Sequence, residues 1–154
     1  MRKLPPYRRS VAGSLLAARE AVMAPIRPIL RETGITEQQW RVLRVLIDEG
    51  PADPSQLAAS AILHPPSVTR ILRELLERGF IERAIDRNDG RRSIVSVSAA
   101  GKQLFGRTSA QTLILLDAYN KAFGAERLER LVAELRAFTL AVQGLGPGLE
   151  NLTR

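Results

Sequence analysis

Ser67, Thr69, Arg70 and Arg73 fall within seven residues and carry the two kinds of side chain that grip duplex DNA. Hydroxyls and guanidiniums donate to phosphate oxygens, and arginine also reaches the acceptor edge of guanine in the major groove. A second basic cluster follows at Arg87, Arg91 and Arg92, inside Asp86-Arg87-Asn88-Asp89-Gly90-Arg91-Arg92. Asn88, Asp89 and Gly90 suit a tight turn, so this loop reads as the tip of a hairpin. An arginine at such a tip is narrow enough to enter a minor groove, where negative potential concentrates.

The elements that must hold these residues are legible around them. In PPSVTRILRELLERGF, Val68, Ile71, Leu72, Leu75 and Leu76 recur at helical spacing, which predicts one apolar face with the polar residues opposite. Pro66 suits the first turn of that helix and Gly79 its end. Phe80–Ile85 and Ser93–Ser98 have the composition of two short strands. Upstream, Thr36 and Gln39 have the spacing of a capping box, opening a helix that closes before Gly50-Pro51. Asp53-Pro54 supplies an N-cap and first-turn proline for a short helix through Ala59. Two helices joined by a short turn, then two strands, predict a mainly α winged helix-turn-helix with a small β wing.

Terminal helices flank this lobe. Val11, Leu15, Ala18, Val22, Ile26 and Ile29 form a helical seam, and Pro25 and Pro28 predict a break near Ala24. Ser98 caps a helix to about Lys121, and Gly124 separates it from Ala125–Gln143. Apolar stripes on long terminal helices with no sheet to cover them predict burial against a second copy of the chain.

Composition narrows the function classes. The net charge of +7 suggests a polyanionic partner. The excess is greatest over residues 1–31, at +6, so this arm is a further backbone contact or a free basic tail. There are no cysteines, which excludes disulfides and thiolate metal sites, and the single histidine is His64. With no phosphate loop, nucleophile elbow or metal-ligand pair, no catalytic residue, metal or cofactor is expected. The opening MRKLPPYRRS lacks a signal-peptide apolar region and no apolar run reaches bilayer length, so the expectation is a cytoplasmic protein without a membrane partner.

Asp89-Gly90-Arg91, with Ser98-Ala99-Ala100-Gly101 standing where Leu-Thr-x-x-Gly is usual, resembles the MarR family of winged helix-turn-helix regulators over residues 10–143. LLAAREAVMAPIRPIL followed by TEQQWRVLRVL is similar to its HpaR-type branch, regulators of homoprotocatechuate degradation. The resemblance implies a homodimeric repressor, residues 1–154 forming one chain of this type. Residues 35–98 would form the DNA-binding lobe, and residues 10–34 and 99–143 the dimerisation helices. It implies release from a palindromic operator, double-stranded DNA, when a small aromatic acid or its CoA thioester binds. Arg91 would then enter the minor groove with Asp89 holding its guanidinium.

An aromatic carboxylate needs a cation, hydrogen-bond donors and an apolar slot. Arg19, Arg27, Trp40 and His64 supply the first kinds of group, and Met23 and Ile26 suit the slot. Against this, Arg19 equally suits a surface ion pair, Trp40 suits the core, and His64 suits an exposed linker. The competing functions are a constitutive architectural DNA-binding protein without effector and a protein-interaction scaffold.

Overall fold

Side-chain caps and glycines divide the chain into helices at the places its local chemistry requires. The computed structural model describes residues 3–85 and 93–146. The wing residues Arg87, Asp89, Arg91 and Arg92 therefore lie outside the described residues. A 3-10 turn, Tyr7–Arg9, precedes α1, Val11–Met23, whose N-cap Ser10 accepts from the Gly13 N–H at 3.0 Å. The seam breaks at Ala24-Pro25 and resumes as α2, Ile26–Glu32, because proline cannot donate to the preceding turn. α3, Glu37–Asp48, starts on the capping box of Thr36 and Gln39. α4, Pro54–Ser60, starts on a second box formed by Asp53 and Gln56.

α5, Pro65–Glu77, is followed by β1, Ile81–Ile85, and β2, Ser93–Val97. The strands are antiparallel, with Ile81 opposite Val97 and Arg83 opposite Val95. A third chain segment joins this ribbon. Ala52 and Val95 exchange backbone hydrogen bonds at 3.0 and 2.9 Å, tying the α3–α4 connection to the wing. α6, Ala99–Phe123, and α7, Ala125–Gly144, complete the order.

The chain divides into two units, residues 1–112 and residues 113–154. The first contains the core: Leu30, Val42, Leu43, Leu57, Val68, Ile71, Leu75 and Val95 are all essentially inaccessible. Burial of each large aliphatic side chain contributes about 1.5–3 kcal/mol, so this cluster fixes the helix-turn-helix against the wing. The apolar face of α5 is narrower than its sequence suggests. Val68, Ile71 and Leu75 are buried, whereas Leu72 is half-buried and Leu76 is 43% exposed. Leu72 and Leu76 sit one residue, about 100° of helical rotation, beyond the buried line.

Gly101 makes a close approach that a larger residue could not. A Cβ there would collide with the Phe80 carbonyl oxygen and stand 2.8 Å from Val97 Cγ2. Ser98 secures the same junction, donating to the Gly79 carbonyl at 2.6 Å and accepting from the Gly101 N–H at 3.0 Å. In the second unit a groove of about 530 Å³ lies between α6 and α7, lined by Leu116, Leu128, Val132 and polar neighbours. Leu131, Val132, Leu135, Phe138 and Val142 remain exposed on α7, as do Val11, Leu15 and Val22 on α1.

Candidate nucleic-acid interface and effector site

The outward side of α5 and the adjoining ribbon form one basic groove. Pro54, Pro66, Thr69, Arg70, Leu72, Arg73, Leu76, Ile81, Arg83 and Val95 enclose a cavity of about 530 Å³. Three arginines and a threonine over an apolar floor can hold phosphates while aliphatic groups meet sugar or base edges. Thr69, Arg70 and Arg73 are exposed, and Ser67 is half-buried in the first turn. The Thr69 hydroxyl bonds weakly back to the Pro65 carbonyl at 3.4 Å, leaving its oxygen able to accept or donate elsewhere.

Arg70 is held rather than loose. Its Nη1 donates to Glu74 Oε1 at 2.9 Å, and Glu74 is steadied by Gln39 from α3. Arg83, on β1, donates to the Ser93 hydroxyl across the ribbon and turns one more cation toward the groove. Arg78 is on the other side, donating to the Gly34 carbonyl at 2.8 Å with its guanidinium over the Phe80 ring.

The residues expected to hold an aromatic acid gather around two glutamates. Arg19 pairs with both Glu20 and Glu37. Arg27 contacts Glu20 at 2.8 Å and Glu37 at 3.5 Å. The Arg27 hydrogen bond is the main influence holding the Glu20 carboxyl below the usual glutamate range. Burial opposes it, and the charges of Arg27 and Arg19 reinforce it. The same bond to Glu20 raises Arg27 above the usual arginine value. Any carboxylate ligand at Arg19 and Arg27 would therefore have to displace glutamates already in place.

Ile26 is a core residue at 7% exposure, and Met23 is half-buried. Trp40 is buried and stacks on Phe105, with ring centroids 4.8 Å apart and planes at 18°. His64 is the exposed N-cap residue of α5, without a side-chain capping bond. Neither of the two grooves described above is lined by Arg19, Met23, Ile26, Arg27, Trp40 or His64. Among the described residues no group of three or more His, Asp or Glu could hold a metal ion, and no helix is long and apolar enough to cross a membrane.

Residues 35–93, which include this helix-turn-helix, match the MarR family. The chain is 36% identical over 129 residues to the HTH-type transcriptional regulator FarR of Neisseria gonorrhoeae, covering 82% of this chain and 88% of that one. It is 34% identical over 129 residues to the homoprotocatechuate degradative operon repressor of Escherichia coli, covering 84% and 87%. The chain belongs to the MarR family. Its fold matches the crystal structure of NadR in complex with 4-hydroxyphenylacetate, with TM-score 0.76 and 35% identity over 87% of this chain and 97% of that one.

Within this MarR-type lobe, two arginines escape a reading of sequence alone. Arg83 belongs to a strand of mixed character, and only the Arg83–Val95 register turns it toward α5. Arg41 lies on α3, in a run that reads as an ordinary amphipathic helix, yet it reaches 20 residues ahead to the Ala61 carbonyl. No local pattern announces either.

Proposed function

We propose that this MarR-family regulator is a dimeric, cytoplasmic repressor of an aromatic-acid catabolism operon, released from a palindromic operator by a small aromatic acid. The basic groove along α5, edged by Thr69, Arg70, Arg73 and Arg83, carries the DNA half of this reading. In a two-fold dimer, two such helices would enter successive major grooves about 34–36 Å apart. Ser67 joins them at the helix start, and the wing arginines Arg87, Arg91 and Arg92, with Asp89 as support, are assigned to the flanking minor groove and phosphates. Second-copy burial accounts for the aliphatic and aromatic residues left exposed on α1 and α7.

The effector half draws support from the relatives: one is a homoprotocatechuate operon repressor, another a structure holding 4-hydroxyphenylacetate. A free acid is preferred to its CoA thioester because that ligand is a free acid. Arg19 and Arg27 are assigned to its carboxylate, Met23, Ile26 and Trp40 to the ring, and His64 to the link with α5. The glutamates already on Arg19 and Arg27 favour one competing reading, a constitutive DNA-binding protein without effector.

The test is fluorescence anisotropy of a labelled duplex from the region upstream of the protein's own gene, titrated with 4-hydroxyphenylacetate and a panel of benzoates, phenylacetates and cinnamates. Saturable binding reversed by one of these acids is expected. Binding that no acid reverses supports the constitutive reading, and absence of binding rejects both.

A further inference from the structure

Among the described residues, Ile62 alone outside the glycines has a left-handed backbone, at φ +52°. A β-branched residue in that conformation is strained and persists only where its surroundings hold it. Its own side chain does not, being 84% exposed. The turn it occupies joins α4 to α5, and His64, two residues on, begins α5 without a side-chain cap. This turn therefore sets how the chain enters α5, whose body is anchored by Val68, Ile71 and Leu75.

Backbone bonds hold the turn from one side: the Ile62 N–H donates to Ala59 at 3.2 Å and the Leu63 N–H to Ala58 at 2.9 Å. From the other side comes Arg41. Its Nη1 donates to the carbonyls of Ala61 and Ile62 at 3.1 and 3.2 Å. Arg41 Nη2 stands 3.9 Å from Glu37, one turn back on α3, at the edge of ion-pair range. Its Nε is buried and has no hydrogen-bond partner. The guanidinium is thus only partly satisfied where it sits, and a shift that gives Nε an acceptor loses nothing at that atom. Glu37 is meanwhile shared, since Arg19 and Arg27 hold the same carboxylate.

We infer that Arg41 is the positioning residue of the DNA-binding helix, pinning the strained Ile62 turn, and that Glu37 makes this hold depend on Arg19 and Arg27. The inference rests on the repressor reading and deepens it by naming its regulatory route. While Arg19 and Arg27 occupy Glu37, Arg41 is left to the two carbonyls. An anion that captures those arginines leaves Glu37 with Arg41 alone. The carboxylate then competes for the guanidinium, the turn loses its pin, and α5 leaves the geometry that fits DNA.

The experiment uses the full chain and needs no ligand. Replacing Arg19 and Arg27 together by Gln mimics their capture, and Arg41→Met removes the pin but keeps the aliphatic stem. Each is expected to weaken binding to the upstream duplex about ten-fold, within the usual range of coupling between sites. Ile62→Gly removes the strain without changing charge, so added to either background it should return affinity to within about three-fold of wild type. A structural or purely electrostatic role for these arginines would not be rescued by glycine. Full-strength binding by Arg41→Met, or failure of Ile62→Gly to restore either background, overturns the inference.

Thermal unfolding of the same set provides the arm that needs no DNA. Arg41→Met should lower Tm less in the Ile62→Gly background than alone, and equal losses in both overturn the pin. Should Arg41→Met fail to fold, Arg41→Lys takes its place with the same expected rescue. Failure of the repressor reading looks different, because then the wild type itself ignores the duplex while the thermal coupling survives.

Discussion

Gln39 Nε2 donates to Glu74 Oε2 at 2.9 Å, joining the first turn of α3 to α5 across 35 residues. The same amide's oxygen accepts from the Thr36 N–H at 3.0 Å, completing the capping box. The other oxygen of Glu74 accepts from Arg70. One buried amide thus connects a helix cap to a cation on the outer face of α5.

Gln39→Leu should therefore act twice. It removes one of the two bonds of the capping box and leaves a partly buried carboxylate with one partner fewer, lowering stability by about 1–3 kcal/mol. It also frees Arg70, and affinity for the upstream duplex should fall several-fold. Arg70→Ala added to Gln39→Leu should then lose less than it does alone. Simple addition of the two losses would show that Arg70 needs no orientation from Glu74.

Arg73 and Arg83 offer a cleaner electrostatic measurement. Both edge the α5 groove, and neither is paired with an acidic residue in the ion pairs described among residues 3–85. If each meets a phosphate, Arg73→Gln or Arg83→Gln lowers the slope of log affinity against log salt by about 0.9 per dimer-half contact. The loss should be similar for matched and mismatched duplexes, as befits contacts that position without reading sequence. An unchanged slope would leave these side chains in solvent.

The local signals of this chain were the legible ones. Thr36 with Gln39, and Asp53 with Pro54, announce helix starts because a cap is made within three residues. Pro25 announces the break after α1 because its missing N–H acts on the adjacent turn. What stayed hidden depends on distance along the chain. The Ala52–Val95 pairing is one residue long and leaves no periodicity to read. Leu72 and Leu76 continue the helical spacing of α5, and only packing decides that they floor a groove. Arg19 and Arg27 were readable as cations, but Glu37, which they share, is 18 residues from the first of them. Residue type suggested a carboxylate site there; geometry shows carboxylates of the chain itself.

Gly101 and Gly106, five residues apart on α6, make opposite predictions. Gly101→Ala drives a methyl into the Phe80 carbonyl, an obstacle that cannot rotate away. A loss of about 1–3 kcal/mol in urea unfolding is expected, typical of forced overpacking. Gly106 has open space around its Cβ position and an ordinary helical backbone. Gly106→Ala should gain about 0.5–1 kcal/mol by restricting the unfolded chain.

The Glu20 cluster predicts a weak acid sensitivity with a definite sign. The folded carboxyl is held below its ordinary value, chiefly by the Arg27 hydrogen bond. Its contribution is present above the unfolded glutamate pKa and is lost as pH falls through the depressed one. Arg27, raised above its ordinary value, stays charged throughout and adds no alkaline limb within the working range. Glu20→Gln should flatten the acid side of a Tm–pH curve with little change near neutrality, since both groups are well exposed. In a carboxyl NMR titration, Arg27→Gln should move the Glu20 midpoint upward; an unmoved midpoint would mean that Arg19 carries the interaction.

The exposed stripe on α7 supplies the test of assembly. Leu131, Leu135, Phe138 and Val142 are 41, 38, 44 and 39% exposed and recur every three or four residues along one helix. Scattered apolar residues on a surface need no partner, but a continuous seam of this kind is what the proposed dimer would bury. Placing charge in it, as Leu135→Glu with Phe138→Glu, should convert the protein to a monomer by sedimentation while far-UV circular dichroism stays helical. Each monomer then offers a single α5 to DNA. The second half-site no longer binds intramolecularly, so affinity for the full operator should drop by about 100-fold or more, toward that for one half-site. A double variant that remains dimeric would move the seam to the α1 stripe of Val11, Leu15 and Val22, where the same substitution pattern can be repeated.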